Sequence, residues 1–278
     1  MGTDAIRTRP ITSPPAPPDD PYFYGWRMVP RWDDRKRQTW EKVPLTPWDV
    51  LHPEEEDFIV TNDAHDRDIH YLKDVFEECV AGRSGVRVLC DHRVLWEVPA
   101  LGAHGPDVVV FENLNKPWNA RRGTFPVKEM GARPLVIVEV TSPSTRYIDL
   151  DDKIEDYYRA GVPLYVIADR RETYDGQAFI RLMAYRTTPE GYVRVPEDPN
   201  GVWIEALKVW VQADGDRIVC VGEHGNRIPD LRDQRDAERQ RAESEKQRAD
   251  TEQVARIAAE QKLKELEAEL KRLRGDTN

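Results

Sequence analysis

No apolar run in the chain approaches the ~20 residues that a membrane-spanning helix needs. The N-terminus lacks the apolar core of a secretory signal, so a cytoplasmic location is the default expectation. Cysteine is scarce: Cys79, Cys90 and Cys220 are odd in number and widely separated, which fits neither a disulfide framework nor the close pairs of a zinc site. Buried reduced thiols are expected instead. Histidine is sparse too, and His65, His70, His92 and His104 are scattered, so core or capping roles outweigh ligation for them. Positive charge is also in deficit. A formal net charge of −10 argues against a bulk electrostatic grip on nucleic acid and leaves that task to local basic patches.

What is present divides along the chain. Residues 1–20 hold Pro14-Pro15-Ala16-Pro17-Pro18, cannot bury a core and are expected to be disordered. From 21 to 62, Tyr22, Tyr24, Trp26, Trp32, Trp40 and Trp48 recur among charges and prolines, which predicts an irregular, aromatic-rich arm laid over a domain. Residues 63–225 carry the periodic segments of that domain. Ile69, Leu72, Val75, Phe76, Cys79 and Val80 form a helical stripe, with Gly82 just past its end. Val86–Cys90 and Val94–Trp96 read as a first strand and its continuation, and the alternation from Ala178 to about Val221 predicts hairpins closing the domain. Beyond Pro229, glycine, proline and aromatics nearly vanish and a long charged helix is predicted over 229–274. Ala259, Leu263, Leu266, Leu270 and Leu273 follow steps of four and three, a coiled-coil seam at its end. Self-association, a partner helix and a solvated single helix all remain open for it.

The chemistry concentrates in two short strands. Pro106-Asp107-Val108-Val109-Val110-Phe111 reads as a strand beginning at its acid, and Leu135-Val136-Ile137-Val138-Glu139-Val140 as one ending near its acid. Antiparallel pairing would set Asp107 beside Glu139 at one sheet edge. Such a carboxylate pair must be paired, protonated or bound to a cation. Magnesium suits it, being a hard ion that takes one or two carboxylates and keeps waters for a substrate phosphate, and manganese is an alternative. Lys153, on a predicted helix over Asp151–Ala160, could orient the attacking water or stabilise developing charge.

Together, Asp107, Glu139-Val140-Thr141-Ser142-Pro143-Ser144-Thr145, Asp149, Lys153, Tyr157-Tyr158, Gly161-Val162-Pro163, Tyr165 and Asp169 resemble the Uma2 family of restriction-type endonucleases, within the PD-(D/E)XK nuclease superfamily. The resemblance covers roughly residues 40 to 225. It implies an α/β, restriction-endonuclease-like core with a mixed sheet flanked by helices, Asp107 and Glu139 as metal ligands, and Lys153 as the catalytic lysine. The superfamily's Glu-x-Lys position is here Thr141, and the resemblance implies that the lysine has moved to the following helix. His65 and His70, on a helix near the site in this fold, become candidates for a supporting role, as do Thr141 and Asp149. Between the two acidic strands, Lys116, Arg121, Arg122, Lys128 and Arg133 interleave with Trp118 and Phe125, a mixture suited to phosphate contact and stacking, or else an ordinary solvated hairpin connection.

The reading that follows is a Mg²⁺-dependent endodeoxyribonuclease. The alternative is a catalytically silent assembly protein working through its coiled coil. A phosphodiesterase acting on a small nucleotide is a third use of the same residues.

Overall fold

The structure is a computed structural model that describes residues 20–275 except 35, 143–145 and 174, without the side chains of 232, 273 and 274. Nearly all of the proline-rich tail, Pro143–Thr145 of the motif and the Leu273 side chain of the seam therefore lie outside the described residues. Two compact units divide the chain, Met1–Ile228 and Pro229–Asn278.

Alternation of Trp26, Met28, Pro30 and Trp32 with Arg27, Val29 and Arg31 builds β1 (Gly25–Trp32), which pairs antiparallel with β2 (Gln38–Pro44). Thr46 and Asp49 form a capping box at α1 (Pro47–Leu51), and β3 (Phe58–Ile59) then pairs with the start of β1. The segment expected to be irregular is thus a regular sheet of order β2-β1-β3. Its prolines do not break it. Gly25 O accepts from Leu45 N–H at 3.0 Å and Asp33 N–H donates to Arg37 O at 3.1 Å, so odd-numbered β1 residues face β2. Pro30 therefore turns its missing N–H to the open edge beyond β3.

Asn62 caps α2 (Asp63–Cys79) by accepting from His65 N–H at 3.1 Å, and Asp63 and Asp66 favour the positive end of the helix dipole. The buried stripe of α2 runs His65, Asp68 and Ile69, Leu72, Val75 and Phe76, so His65 occupies the first turn of the core-facing side. Next come β4 (Arg87–Cys90) and β5 (Arg93–Leu95). The second does not continue the first, because Asp91 takes a left-handed φ of +49° and turns the chain away. After β6 (Val108–Glu112), β7 (Thr124–Pro126) pairs parallel with β5 in a separate two-stranded sheet.

The remaining elements are α3 (Val127–Met130), β8 (Arg133–Val140), α4 (Arg146–Leu150), α5 (Asp152–Arg159), β9 (Leu164–Glu172), β10 (Ala178–Thr188) and β11 (Gly191–Arg194). Gly161, at a φ of +76°, stops the chain from continuing α5. The main sheet has the order β11-β10-β9-β8-β6-β4 and is mixed: β8 and β9 are parallel, joined across α4 and α5, and the other pairs are antiparallel. Its alternating residues feed two cores. Val108, Val110, Val138 and Val140 pack with the α2 stripe, while Val109, Phe111, Ile137 and Ile167 pack with Tyr157 of α5. A second sheet, β12 (Val202–Ile204), β13 (Val209–Asp214), β14 (Arg217–Gly222) and β15 (Arg227–Ile228), joins the first core through Ile204, Val209, Val211 and Cys220. The three cysteines are free, with Cys220 buried and Cys79 and Cys90 half-buried.

In the second unit, α6 (Leu231–Gly275) is a 45-residue helix whose Leu263, Leu266 and Leu270 are exposed in the single chain. Among the described residues, no helix is long and apolar enough to cross a membrane.

Candidate active site

The antiparallel register of β6 and β8 pairs Val108 with Val138, so Asp107, just before β6, falls beside Glu139. Reciprocal hydrogen bonds lock the two acids. Val140 N–H donates to Asp107 Oδ2 at 2.7 Å, and Asp107 N–H donates to Glu139 Oε2 at 3.3 Å. Strand alternation turns Glu139 to the α5 side of the sheet, where Lys153 and Tyr157 sit one helical turn apart. Both reach the same atom: Lys153 Nζ lies 3.0 Å from Glu139 Oε1, and Tyr157 OH donates to it at 2.6 Å. Lys153 Nζ also lies 2.8 Å from Asp149 Oδ1 of α4, and Tyr165 OH donates to the Asp149 carbonyl at 2.8 Å. On the other side, His65 Nε2 stands 3.3 Å from Asp107 Oδ2.

Three buried or nearly buried carboxylates thus share one lysine and one histidine. Burial pushes the Glu139 carboxyl well above its ordinary range and Lys153 pulls it back, while Asp107 and Asp149 push it further up. Burial disfavours the Lys153 ammonium, but Asp149, Glu139 and Asp107 together outweigh it and raise the lysine above its usual value. Burial likewise raises Asp107, yet His65, Lys153 and the Val140 N–H hold it below the usual carboxylate value. For His65, desolvation lowers the imidazole but Asp107 outweighs it and raises it to about 9.

These groups open into a cleft of about 470 Å³ whose walls include His65, Asp91, Asp107, Glu139, Asp149 and Lys153. Asp91 went unnoticed in the sequence. Its N–H donates to the Asp107 carbonyl at 3.3 Å, and desolvation followed by the Asp107 charge pushes its carboxyl up to about 7. Tyr157, quoted in the sequence only as part of the family motif, joins the cluster here, and its spacing of four from Lys153 on a helix is the signal for it.

The other sequence candidates sort unevenly. Asp149 belongs to the cluster. Thr141 turns to β9, where its Oγ1 accepts from Arg170 N–H at 2.9 Å and donates to Asp169 at 3.4 Å. His70 lines the cleft mouth and its Nδ1 bonds the Asp66 carbonyl at 2.6 Å. The basic insert does not present free cations throughout. Lys116 and Arg122 both pair with Glu129, at 2.9 and 3.0 Å, Arg133 pairs with Glu112, and Phe125 is buried against Phe111 in the core. Arg121 and Lys128 lie on the same insert, where the Lys128 N–H donates to Glu97 at 2.8 Å. Sequence separation of seven to twenty-one residues hid these pairings.

Among the described residues, His52, His104 and Asp156 are close enough for an ion, with ligand atoms within 4.8 Å of one another. Hydrogen bonding argues against it at His104. Trp96 Nε1–H donates to His104 Nδ1 at 3.0 Å, so the proton sits on Nε2, which donates to Asp156 Oδ2 at 2.9 Å. Both ring nitrogens are committed. This buried relay instead ties the β5 segment to α5, three residues beyond Lys153.

A mixed α/β domain with an acid pair at adjoining strand ends and a lysine from the second helix after β8 is the class of protein defined so far. Residues 56–205 match the model of the Uma2 family, described as "Putative restriction endonuclease", and the chain belongs to that family. A crystal structure of "a putative nuclease belonging to DUF820" from Anabaena variabilis ATCC 29413 is similar at 16% identity and a TM-score of 0.33, over 52% of this chain and 80% of that one. None of the curated proteins matches the chain.

Proposed function

We propose that the chain is a Mg²⁺-dependent endonuclease that hydrolyses phosphodiester bonds in DNA, with its nuclease-like domain spanning residues 63–225. The observation that carries the reading is the convergence of Glu139 and Asp149 on one buried lysine, with Asp107 locked beside Glu139, in a chain of the Uma2 family. The donor set fits the ion: these are hard oxygen ligands, more numerous than the cations beside them, held in place by backbone N–H groups. Asp107 and Glu139 would hold it, and Mn²⁺ suits the same oxygens.

When bound, magnesium would neutralise charge building on the phosphate and acidify a water for attack. The chain's own groups do the rest. Tyr157 and the paired backbone N–H groups fix the acid orientations before substrate arrives. Lys153, kept charged by three acids, offers N–H donors to a phosphate oxygen or to the attacking water. Asp149 holds the lysine side chain toward the cleft. His65 balances the Asp107 charge from the α2 side.

The test is nicking of supercoiled plasmid with Mg²⁺, Mn²⁺ or EDTA, by wild-type protein and by Asp107→Asn and Glu139→Gln variants of unchanged circular dichroism. Metal-dependent nicking that both variants lose is the expected result. Nicking that survives both substitutions overturns the assignment.

A further inference from the structure

One face of the β1–β2 ribbon collects exposed rings. Register and alternation place Trp26, Met28, Pro30 and Trp32 of β1 on the same side as Trp40, Lys42 and Pro44 of β2, because Met28 pairs with Lys42, Pro30 with Trp40 and Trp26 with Pro44. Phe58 of β3 pairs with Trp26 and its ring stacks on it at 4.7 Å. Nothing in the described chain covers most of this face. Trp32 is 68% exposed, Phe58 61% and Trp40 55%. A contiguous aromatic patch left in solvent marks an interaction site.

Charge and position identify the occupant. Among the β1 and β2 residues on this face there is one cation, Lys42, and no acid, while Arg31 and Arg37 elsewhere in 25–44 are taken by Glu41 and Asp33. Lys42 lies on the aromatic face itself, its Nζ 4.1 Å from the Tyr22 ring centroid and 3.8 Å from that of Trp26. Arg27, on the reverse face, is taken by Asp49, Glu54 and Asp57. A second copy docking through the same face would bury two Lys42 ammoniums with no acid on either face to pair them, since a two-fold contact is self-complementary. A polyanion with unpaired bases meets no such penalty. The ribbon also runs into the cleft: β3 ends at Ile59, and Ile59, Val60 and Thr61 line its wall.

We propose that the exposed face of the β1–β2 ribbon, centred on Trp32 and Trp40 with Phe58 and Lys42 beside them, binds single-stranded nucleic acid by stacking and leads that strand to the cleft. The proposal rests on the nuclease reading for the fate of the strand, and not for its binding. Duplex bases are already stacked on one another and offer this face only their backbone, so the preference is for unpaired strands.

The experiment uses the full chain in EDTA, so that cleavage plays no part, and an oligo-dT of about 20 nucleotides. Fluorescence anisotropy gives affinity and quenching of tryptophan emission reports stacking. Trp32→Ala/Trp40→Ala should weaken oligo-dT at least about tenfold and remove most of the quenching, with far smaller change for a duplex of equal length. Lys42→Glu, which keeps every ring, should weaken it too and flatten the salt dependence. All three side chains are exposed, so thermal unfolding should stay at the wild-type temperature. Unchanged oligo-dT affinity in the double variant overturns the proposal, as does a dimer that the substitutions convert to monomer without altering that affinity. Plasmid nicking is scored separately. Wild-type nicking together with unchanged oligo-dT affinity in the double variant would sink the ribbon alone, and oligo-dT binding lost in the variant without any wild-type nicking would sink the nuclease alone.

Discussion

Replacing Lys153 by Met is the most informative single change to the acidic cluster. The side chain is 7% exposed and stands between Glu139 and Asp149, whose side chains are 1% and 2% exposed, at 3.0 and 2.8 Å. Methionine keeps the volume but leaves two buried acids facing Asp107 without their shared cation. Breaking a buried ion pair from one side costs about 3–5 kcal/mol. That is a large part of the ~5–15 kcal/mol of stability a domain of ordinary size possesses, and it corresponds to a melting temperature lower by roughly 10 °C. The assay is urea unfolding in EDTA, followed by tryptophan emission and circular dichroism, and repeated with Mg²⁺. A divalent cation held by the same acids replaces the missing charge, so Mg²⁺ should restore more stability to the variant than it adds to the wild type. Glu139→Gln removes one of three acids competing for one lysine and should cost less, about 1 kcal/mol. A loss below about 1 kcal/mol for Lys153→Met, or a Mg²⁺ effect equal in variant and wild type, would refute the picture of a buried cluster short of positive charge.

Other predictions reach different parts of the molecule. Burial holds His104 below its ordinary value near 6.5 even though Asp156 pulls the other way, so the unfolded chain takes up this proton first. Its contribution to stability is complete above pH 6.5 and is lost as pH falls toward the folded value; His104→Gln should flatten the urea midpoint between pH 6.5 and 5, and an unchanged slope would count against the neutral relay. A Cβ on Gly25 would lie 1.8 Å from the Phe58 carbonyl oxygen, at a φ of +111° that suits glycine. Gly25→Ala should therefore detach β3 from β1 and expose residues 54–62 to limited proteolysis; a wild-type digestion pattern would show the pairing to be dispensable. If α6 self-associates, Leu263→Asp/Leu270→Asp should abolish any concentration-dependent mass in sedimentation and leave the metal-dependent nicking rate per chain unchanged.

The acid pair was legible because strand alternation and antiparallel pairing are local rules, and Asp107 and Glu139 sit where those rules put them. The lysine was legible from the family resemblance, and α5 presents it to Glu139. The environment of the pair was not legible. Asp91 reaches the cleft through a left-handed turn that no periodicity announces, and the Trp96–His104–Asp156 relay joins residues brought together only by tertiary packing. The same blindness works in the opposite direction for the insert, whose basic residues looked available until Glu129 and Glu112 were seen to hold three of them. Prolines misled the reading of 21–62 because their cost depends on which edge the missing N–H faces, and only the register reveals that.

On the proposed assignment, a lysine carried by α5 rather than by β8 changes what keeps the site assembled. At position 141 a lysine would be carried by the same strand as Glu139, and its place would follow from β8 alone. Thr141 instead joins β8 to β9 through Arg170 and Asp169, which strengthens the sheet at the point where β6 and β8 bring the acids together. Lys153 then reaches Glu139 only when α5 is docked, and the contacts that hold that helix include Tyr157 to Glu139, Lys153 to Asp149, and Asp156 to His104. The first two lie inside the cluster and would feel any ion or phosphate that enters the cleft. The third lies outside it, anchored by Trp96. On the proposed reading, the relay would hold the lysine in register while the cluster's own hydrogen bonds rearrange around substrate, a use for a buried, fully bonded histidine that lies outside the acidic cluster.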